Sequence, residues 1–366
     1  MTPTRTADAI RAFENGEIVV VTDDDGRENE GDLIVAATAC TPEKMAFIVR
    51  HTSGIVCTPM PASEARRLNL TAMVAENDAP HATAFTVTVD YRHGTTTGIS
   101  AEDRTATVRA LANPNAGAAD FVRPGHVFPL VAKKGGVLMR SGHTEAAVDL
   151  CRLAGLAPVG VICELVNDDG TVMRGPQVTA FAEEHGLKLT TVADLIAWRQ
   201  RTETLVERLG SQSIETSYGP ALAHSYSLPW EPMQHLALVF GDIRDGENVP
   251  VRLHTENVAR DVFGAGRELR DVMDRMAHER GVLVYLRESS SGVARPDIER
   301  RLALNDREAH GEATSREGEW LEIGLGAQIL KDLGIRSIRL LASRERRYVG
   351  LEGFGISITD TEIMDG

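Results

Sequence analysis

No stretch of the 366-residue chain approaches the ~20 consecutive apolar residues that a membrane-crossing helix needs. A membrane role is therefore not expected. Cysteine is scarce as well: Cys40, Cys57, Cys151 and Cys163 are the only four, and none forms a C-x-x-C pair. That spacing argues against a disulfide framework and a structural zinc site, and it fits a reducing, cytoplasmic setting. Basic residues are outnumbered, with 39 Lys and Arg against 53 Asp and Glu and a formal net charge of −14. Bulk binding to nucleic acid or to an anionic membrane is disfavoured by that balance, although a small phosphorylated ligand needs only a few local donors. The opening "MTPTRTADAIRAFENGE" lacks the continuous apolar core of a signal peptide and reads as a polar-capped helix. There is no internal repeat, low-complexity tract or dinucleotide fingerprint.

The 42% hydrophobic and 25% charged fractions are those of an ordinary globular protein, too long for one core, so two domains are expected. Strand-like and helix-like stretches alternate over the first 200 residues. "EIVVVT" reads as a buried strand, "TPEKMAFIVRH" as a helix with a Thr cap and Pro at its first position, and "SGIVCTPM" and "FTVTVDY" as strands. A strand from 135 leads through "RSGHT" into the helix "HTEAAVDLCRLAG", with Gly155 its terminator. "PVGVICELV" is a strand closed by the turn "NDDG", and helices follow at 176–186 and 192–203. Between Glu203 and Tyr218 the pattern turns polar and irregular, which reads as a linker and places the domains at 1–205 and 206–366. The second half predicts strands at "HLALVFGDI", "GVLVYLRE" and "IRSIRLL", helices at 267–280 and from 326, and a charged unpatterned segment over 289–319.

"DDDGRENEGD" (23–32) sets six carboxylates in ten positions after the first buried strand. Such repulsion is unfavourable unless a cation sits among the oxygens, though a solvated acidic loop is the plainer alternative. An EF-hand fails, because counting from Asp23 puts Glu28 where its Gly belongs. Magnesium is better matched, since it accepts one or two protein ligands and keeps waters for a substrate to displace. In "GGVLMRSGHTEAAVDLC", Arg140, Ser141, Gly142, His143 and Thr144 fall at a helix N-terminus, where free N–H groups favour an anion. A plain cap with an exposed His is the alternative there. "YRHGTTTGISAEDR" is a hydroxyl-rich Gly loop, "RPGHVFPL" holds His126 on a stiff segment, and Glu164 interrupts an apolar strand. Each of these is weak alone.

Their succession closely resembles 3,4-dihydroxy-2-butanone 4-phosphate synthase over the whole first 200 residues. The resemblance implies an α+β fold, a homodimer with active sites near the subunit interface, and magnesium or manganese as the only cofactor. It further implies that D-ribulose 5-phosphate is converted to the four-carbon dihydroxybutanone phosphate and formate. Carried over by position, Glu28 and His143 are the implied metal ligands. Arg27, Glu28, Asp32, Arg140 to Thr144 and Glu164 are implied substrate contacts, and His126, Glu164, Glu28 and Asp32 implied catalytic residues.

From about 212 onward the chain resembles GTP cyclohydrolase II, an α/β domain, through "VRLHTE", "DVFGAGR", "GVLVYLRE", "GAQILKDLGIRSIRLL" and "GLEGFGI". Where that family has three zinc-binding cysteines, this chain has Asn257, Glu268 and Arg270. Its nucleotide loop corresponds to "ESSSGVA" (288–294), and its catalytic Asp and Arg fall at Glu319 and Leu321. The expectation is a retained fold that has lost zinc and GTP hydrolysis, serving as scaffold or regulator. A bifunctional enzyme is one competing reading. A non-catalytic regulator is another, against which the intact set Glu28, Asp32, His126, His143 and Glu164 argues.

Overall fold

The computed structural model describes residues 3–23, 27–79, 83–230, 233–263, 267–287, 323–342 and 351–364. The chain forms two compact units, Met1–Trp198 and Arg199–Gly366. Segment 288–294, Glu319, Leu321 and the Glu268 side chain lie outside the described residues.

The first unit opens with helix α1 (Pro3–Glu14), strands β1 (Val19–Thr22) and β2 (Gly31–Ala36), helix α2 (Pro42–His51), strand β3 (Cys57–Pro61) and helix α3 (Ala62–Arg67). Strand β4 (Val89–Tyr91), helix α4 (Ala101–Leu111), strand β5 (Phe121–Ala132), helix α5 (His143–Leu153) and strand β6 (Gly160–Glu164) come next. Helix α6 (Pro176–Glu184) and strand β7 (Lys188–Thr191) follow, and helix α7 (Val192–Thr202) spans the division between the units. One seven-stranded mixed sheet runs β4-β5-β3-β6-β2-β1-β7. Helix α2 starts as its sequence dictates, with Pro42 at the first position and the Thr41 hydroxyl accepting from the Lys44 N–H.

Strand alternation sorts the sheet's two faces. Leu33, Val35, Val161 and Cys163 join one core cluster with Met45 and Ile48 of α2, Val108 and Leu111 of α4, and Val178 and Phe181 of α6. The alternate residues, Asp32, Ile34, Ile162 and Glu164, face the other way, towards α5. A side chain on Gly160 would press on Ala147 of that helix. Helix α5 is buried continuously from His143 to Cys151. Its N-terminus thus comes to the sheet end where β2 starts and β6 stops.

The second unit carries β8 (Glu207–Thr216), β9 (Gly219–Ser227), β10 (Gln234–Phe240), β11 (Val249–Thr255), α8 (Arg267–His278), β12 (Gly281–Leu286), a helix over 323–332, β13 (Ser337–Ala342) and β14 (Ser357–Ile363). Its sheet runs β14-β13-β11-β12-β10-β9-β8, parallel among the first four strands and antiparallel among the last four.

Three local expectations are corrected. The segment read as a polar linker at 203–218 contains β8, paired with β9 over its whole length and exposed on nearly every residue. A strand wet on both faces has no hydrophobic alternation to detect. "FTVTVDY" keeps strand geometry only from Val89 to Tyr91, with isolated bridges at Phe85 and Thr86. The strand expected from 135 is a 3-10 turn, Gly136–Leu138, because Gly135 and Gly136 take positive φ values of 97° and 67°.

Candidate active site

The acidic loop joins β1 to β2, whose pairing closes at Thr22 opposite Gly31. Asp23 organises it. One carboxylate oxygen accepts the Glu30 N–H at 2.9 Å; the other accepts the Glu28 N–H at 3.2 Å and the Arg27 guanidinium at 2.7 Å. Arg27 also donates to Glu28 Oε2 at 2.6 Å. Burial would lower the pKa of Arg27, but Glu28 and Asp23 outweigh it and hold the charge more firmly than usual. Asp23, which sequence reasoning did not select, therefore spends its oxygens on the loop's shape and turns Glu28 towards α5.

Asp32 lies directly opposite Glu164 across β2 and β6. Like charges at such a pair are destabilising. His143 closes the cluster, its Nδ1 3.7 Å from Asp32 Oδ1 and 3.8 Å from Glu28 Oε2. Burial, reinforced by Glu164, Glu28 and Asp23 against the pull of His143, pushes the Asp32 carboxyl well above its usual range. Burial opposes a raised pKa at His143, yet Asp32 and Glu28 raise it. Two buried polar atoms, Asp32 Oδ1 and His143 Nε2, have no hydrogen-bond partner among the described residues. Asp23, Glu28 and His143 offer ligand atoms within 4.8 Å of one another. Orphaned buried polar atoms beside a carboxylate cluster are what a cation site requires, and oxygens with one imidazole suit magnesium or manganese.

The "RSGHT" segment is the N-terminus of α5, with Gly142 at its cap in extended geometry. Arg140 donates to Glu145 Oε2 at 2.6 Å and to the Thr83 hydroxyl at 3.0 Å. Glu145 also accepts the Lys133 N–H at 2.9 Å, and Asp149, one turn on, accepts that of Val137 at 2.8 Å. These two buried carboxylates fold the 133–140 segment onto the helix start. A Cβ on Gly142 would lie 2.5 Å from an Arg140 guanidinium nitrogen and 3.0 Å from one of Arg27, so both arginines converge on this backbone. Gly142→Ala is therefore expected to raise KM about tenfold by displacing them. Its melting temperature should fall only a few degrees, since a Gly to Ala change at a cap costs about 1 kcal/mol. Steady-state kinetics beside a thermal melt will check both.

His126, on β5, has a carboxylate partner of its own. Its Nδ1 lies 2.7 Å from Asp90 Oδ2, and its backbone N–H donates to Asp90 Oδ1 at 2.8 Å. Among the described residues it makes no ion pair with Glu28, Asp32, His143 or Glu164. The hydroxyl-rich loop reaches it instead, since Gly98 sits so close to Asp90 and His126 that any side chain there would collide. Asp103 shapes that loop, accepting the Thr96 N–H at 3.0 Å, the Thr96 hydroxyl at 2.8 Å and the Gly98 N–H at 2.9 Å. Glu164 accepts the Ser53 hydroxyl at 2.6 Å. Asp90, Ser53 and Glu145 were not singled out from the sequence, and only their closeness in the fold identifies them.

The model of the 3,4-dihydroxy-2-butanone 4-phosphate synthase family matches residues 7–198, and that of the GTP cyclohydrolase II family matches residues 207–362. The bifunctional riboflavin biosynthesis protein RIBA 1, chloroplastic, of Arabidopsis thaliana is 46% identical over 96% of this chain. The chain spans 67% of that relative's length. The crystal structure of RibBX, a two-domain 3,4-dihydroxy-2-butanone 4-phosphate synthase from A. baumannii, superposes with a TM-score of 0.81 at 36% identity, covering 99% of both chains. A 3,4-dihydroxy-2-butanone 4-phosphate synthase in complex with two magnesium ions matches 54% of this chain and 97% of its own at 50% identity, with a TM-score of 0.53.

Proposed function

Because the chain belongs to the 3,4-dihydroxy-2-butanone 4-phosphate synthase family, with a GTP cyclohydrolase II family domain behind it, we propose that its first unit converts D-ribulose 5-phosphate to dihydroxybutanone phosphate and formate. The observation that carries this is the set of half-buried Glu28 with buried Asp32 and His143 against Glu164, beside a helix N-terminus on which two arginines converge.

Glu28 and His143 would hold magnesium or manganese, with Asp32 beside them. When bound there, the cation would supply Lewis-acid stabilisation of the negative charge that develops when a proton leaves the carbon next to the ketose carbonyl. The protein's own groups do the remainder. The backbone N–H groups of α5, with Arg140, Arg27 and the Thr144 hydroxyl, bind the anionic end of the substrate. Asp32, Glu164 and His126 exchange protons during dehydration, skeletal shift and cleavage. The water lost early returns when C4 leaves as formate, so no redox partner is needed. Asp90 fixes His126 Nδ1 and leaves Nε2 for this exchange. A cytoplasmic homodimer belongs to the same reading. Among the described residues no helix is long and apolar enough to cross a membrane.

The second unit, in this reading, keeps the cyclohydrolase fold without its zinc chemistry. Residues 199–366 contain no cysteine. Asn257, at the first zinc-cysteine position, has its side chain occupied as a cap, accepting the Arg260 N–H at 3.0 Å, while Arg270 is exposed. Asp261 closes the loop by accepting the Tyr285 hydroxyl at 2.7 Å and the Asn257 N–H at 2.9 Å. Purified full-length protein is expected to release formate from D-ribulose 5-phosphate in a magnesium-dependent, EDTA-sensitive manner, to carry no stoichiometric zinc, and to release none from GTP. Formate from GTP together with bound zinc would establish the bifunctional alternative that the plant relative's name describes. Absence of formate from the sugar phosphate in excess magnesium would sink the synthase reading.

A further inference from the structure

We propose that Arg104 and Ser53 form a one-directional hydrogen-bonded relay that aims the Glu164 carboxylate, Ser53 by contact and Arg104 through the Gly54–Ile55 peptide. Both are positioning residues for the synthase reaction, so the inference rests on the role given to Glu164 above.

Arg104, on α4, is 6% exposed. A buried guanidinium ordinarily finds a carboxylate, since an isolated buried charge is costly. Among the described residues this one finds none. Its Nη1 donates to the Gly54 carbonyl at 3.0 Å, and its Nε has no hydrogen-bond partner among the described residues. Burial accordingly disfavours its charged form. A costly group whose best bond goes to one backbone carbonyl invites the question of what that carbonyl controls.

The Gly54 C=O and the Ile55 N–H belong to one planar peptide and point in opposite directions. Holding the carbonyl on one side therefore fixes the N–H on the other. That N–H donates to the Ser53 hydroxyl oxygen at 3.2 Å. With its oxygen accepting there, the hydroxyl sends its own proton to Glu164 Oε2, at 2.6 Å. Every donor runs the same way, from a fixed cation through a peptide and a hydroxyl to a carboxylate, the arrangement in which successive bonds polarise one another. The segment is braced at its other bonds as well. The Ser53 N–H donates to the Glu164 carbonyl at 2.9 Å, and the Cys163 thiol donates to the Ile55 carbonyl at 3.3 Å. Gly54 makes the turn possible with φ at 76°. Glu164 Oε1 accepts no hydrogen bond among the described residues, so one oxygen is anchored and the other is presented.

The test uses full-length protein, D-ribulose 5-phosphate and magnesium. Ser53→Ala is expected to lower kcat about tenfold with KM within about twofold, because a charge-assisted bond that orients a reacting group is lost. Ser53→Thr, which keeps the hydroxyl, should recover most of that. Arg104→Met should lower kcat similarly, and the double variant should be no worse than the worse single one, since both act through the same chain. Wild-type kcat in Ser53→Ala, a loss confined to KM, or losses that multiply in the double variant would overturn the relay. Should Arg104→Met fail to fold, the Ser53 pair decides alone. Wild-type protein that releases no formate in the same assay would instead overturn the synthase reading itself.

Discussion

Glu28→Gln is expected to lower formate release by roughly a hundredfold to a thousandfold, while the melting temperature of the metal-free protein changes by only a few degrees. The two halves of that result have one origin. Glu28 shares a crowded site with Asp23, Asp32 and Glu164: burial raises the pKa of Asp32, His143 pulls it down, and Glu164, Glu28 and Asp23 push it up again. Removing one negative charge relieves that repulsion but takes from Arg27 one of the two carboxylates it bonds, Asp23 staying in place, so the two effects on folding oppose each other. The same charge is what a divalent ion needs, and a neutral amide is a poor ligand for a hard cation. Losing stabilisation of a developing enediolate costs several kcal/mol of barrier, which sets the size of the kinetic effect. The decisive comparison is magnesium titration of wild type and variant after EDTA treatment, with formate and a thermal melt read on the same samples. Recovery of full activity by Glu28→Gln at ordinary magnesium would remove Glu28 from the metal site.

Asp90→Asn is expected to lower kcat about a hundredfold with little change in fold. Asp90 accepts twice from His126, at the ring Nδ1 and at the backbone N–H. An asparagine keeps one acceptor oxygen for the backbone and turns an NH2 group towards Nδ1. Nδ1 must then accept, which moves the ring proton to Nε2 and inverts the tautomer that faces the substrate. Reversals of this kind in other histidine-dependent enzymes cost up to about ten-thousandfold, so a hundredfold loss is a moderate expectation. Wild-type kcat in Asp90→Asn would show that proton transfer does not pass through His126.

How much of this was legible in the sequence depended on whether the signal was local. The β1 strand, the α2 start at Thr41 and Pro42 and the α5 stop at Gly155 rest on caps, glycine conformation and burial within a few residues, and each can be read from the chain. The 133–140 segment could not be, because its shape comes from Glu145 and Asp149 one helix away. The site divides in the same way. Glu28 and Asp32 were picked out of the acidic loop only by the family resemblance, His143 also by its place at a helix start, and the fold brings His143 to 3.8 Å from the first and 3.7 Å from the second. Asp23 was hidden among five similar acids. Asp90 ended an apolar alternation and looked like its solvent face. Ser53 and Arg104 carry meaning only once α4 has been packed against the turn before β3, a contact 50 residues apart in the chain.

The strand least visible in the sequence has one more consequence. Among the described residues β8 forms the open edge of the second sheet, and an edge of ten residues is a template on which a foreign strand can polymerise. Natural edges escape aggregation with charge, glycine and irregular register. β8 uses all three: Glu207, Arg208 and Glu215 along its length, Gly210 in its first half, and a register shift between Arg208 and Gly210. Arg208 is further committed to Asp332 through a hydrogen bond from its Nε at 2.8 Å, which keeps that charge at the edge. The polarity that erased the strand's hydrophobic rhythm thus acts as a gatekeeper, guarding the domain's solubility while the sheet still closes over its core.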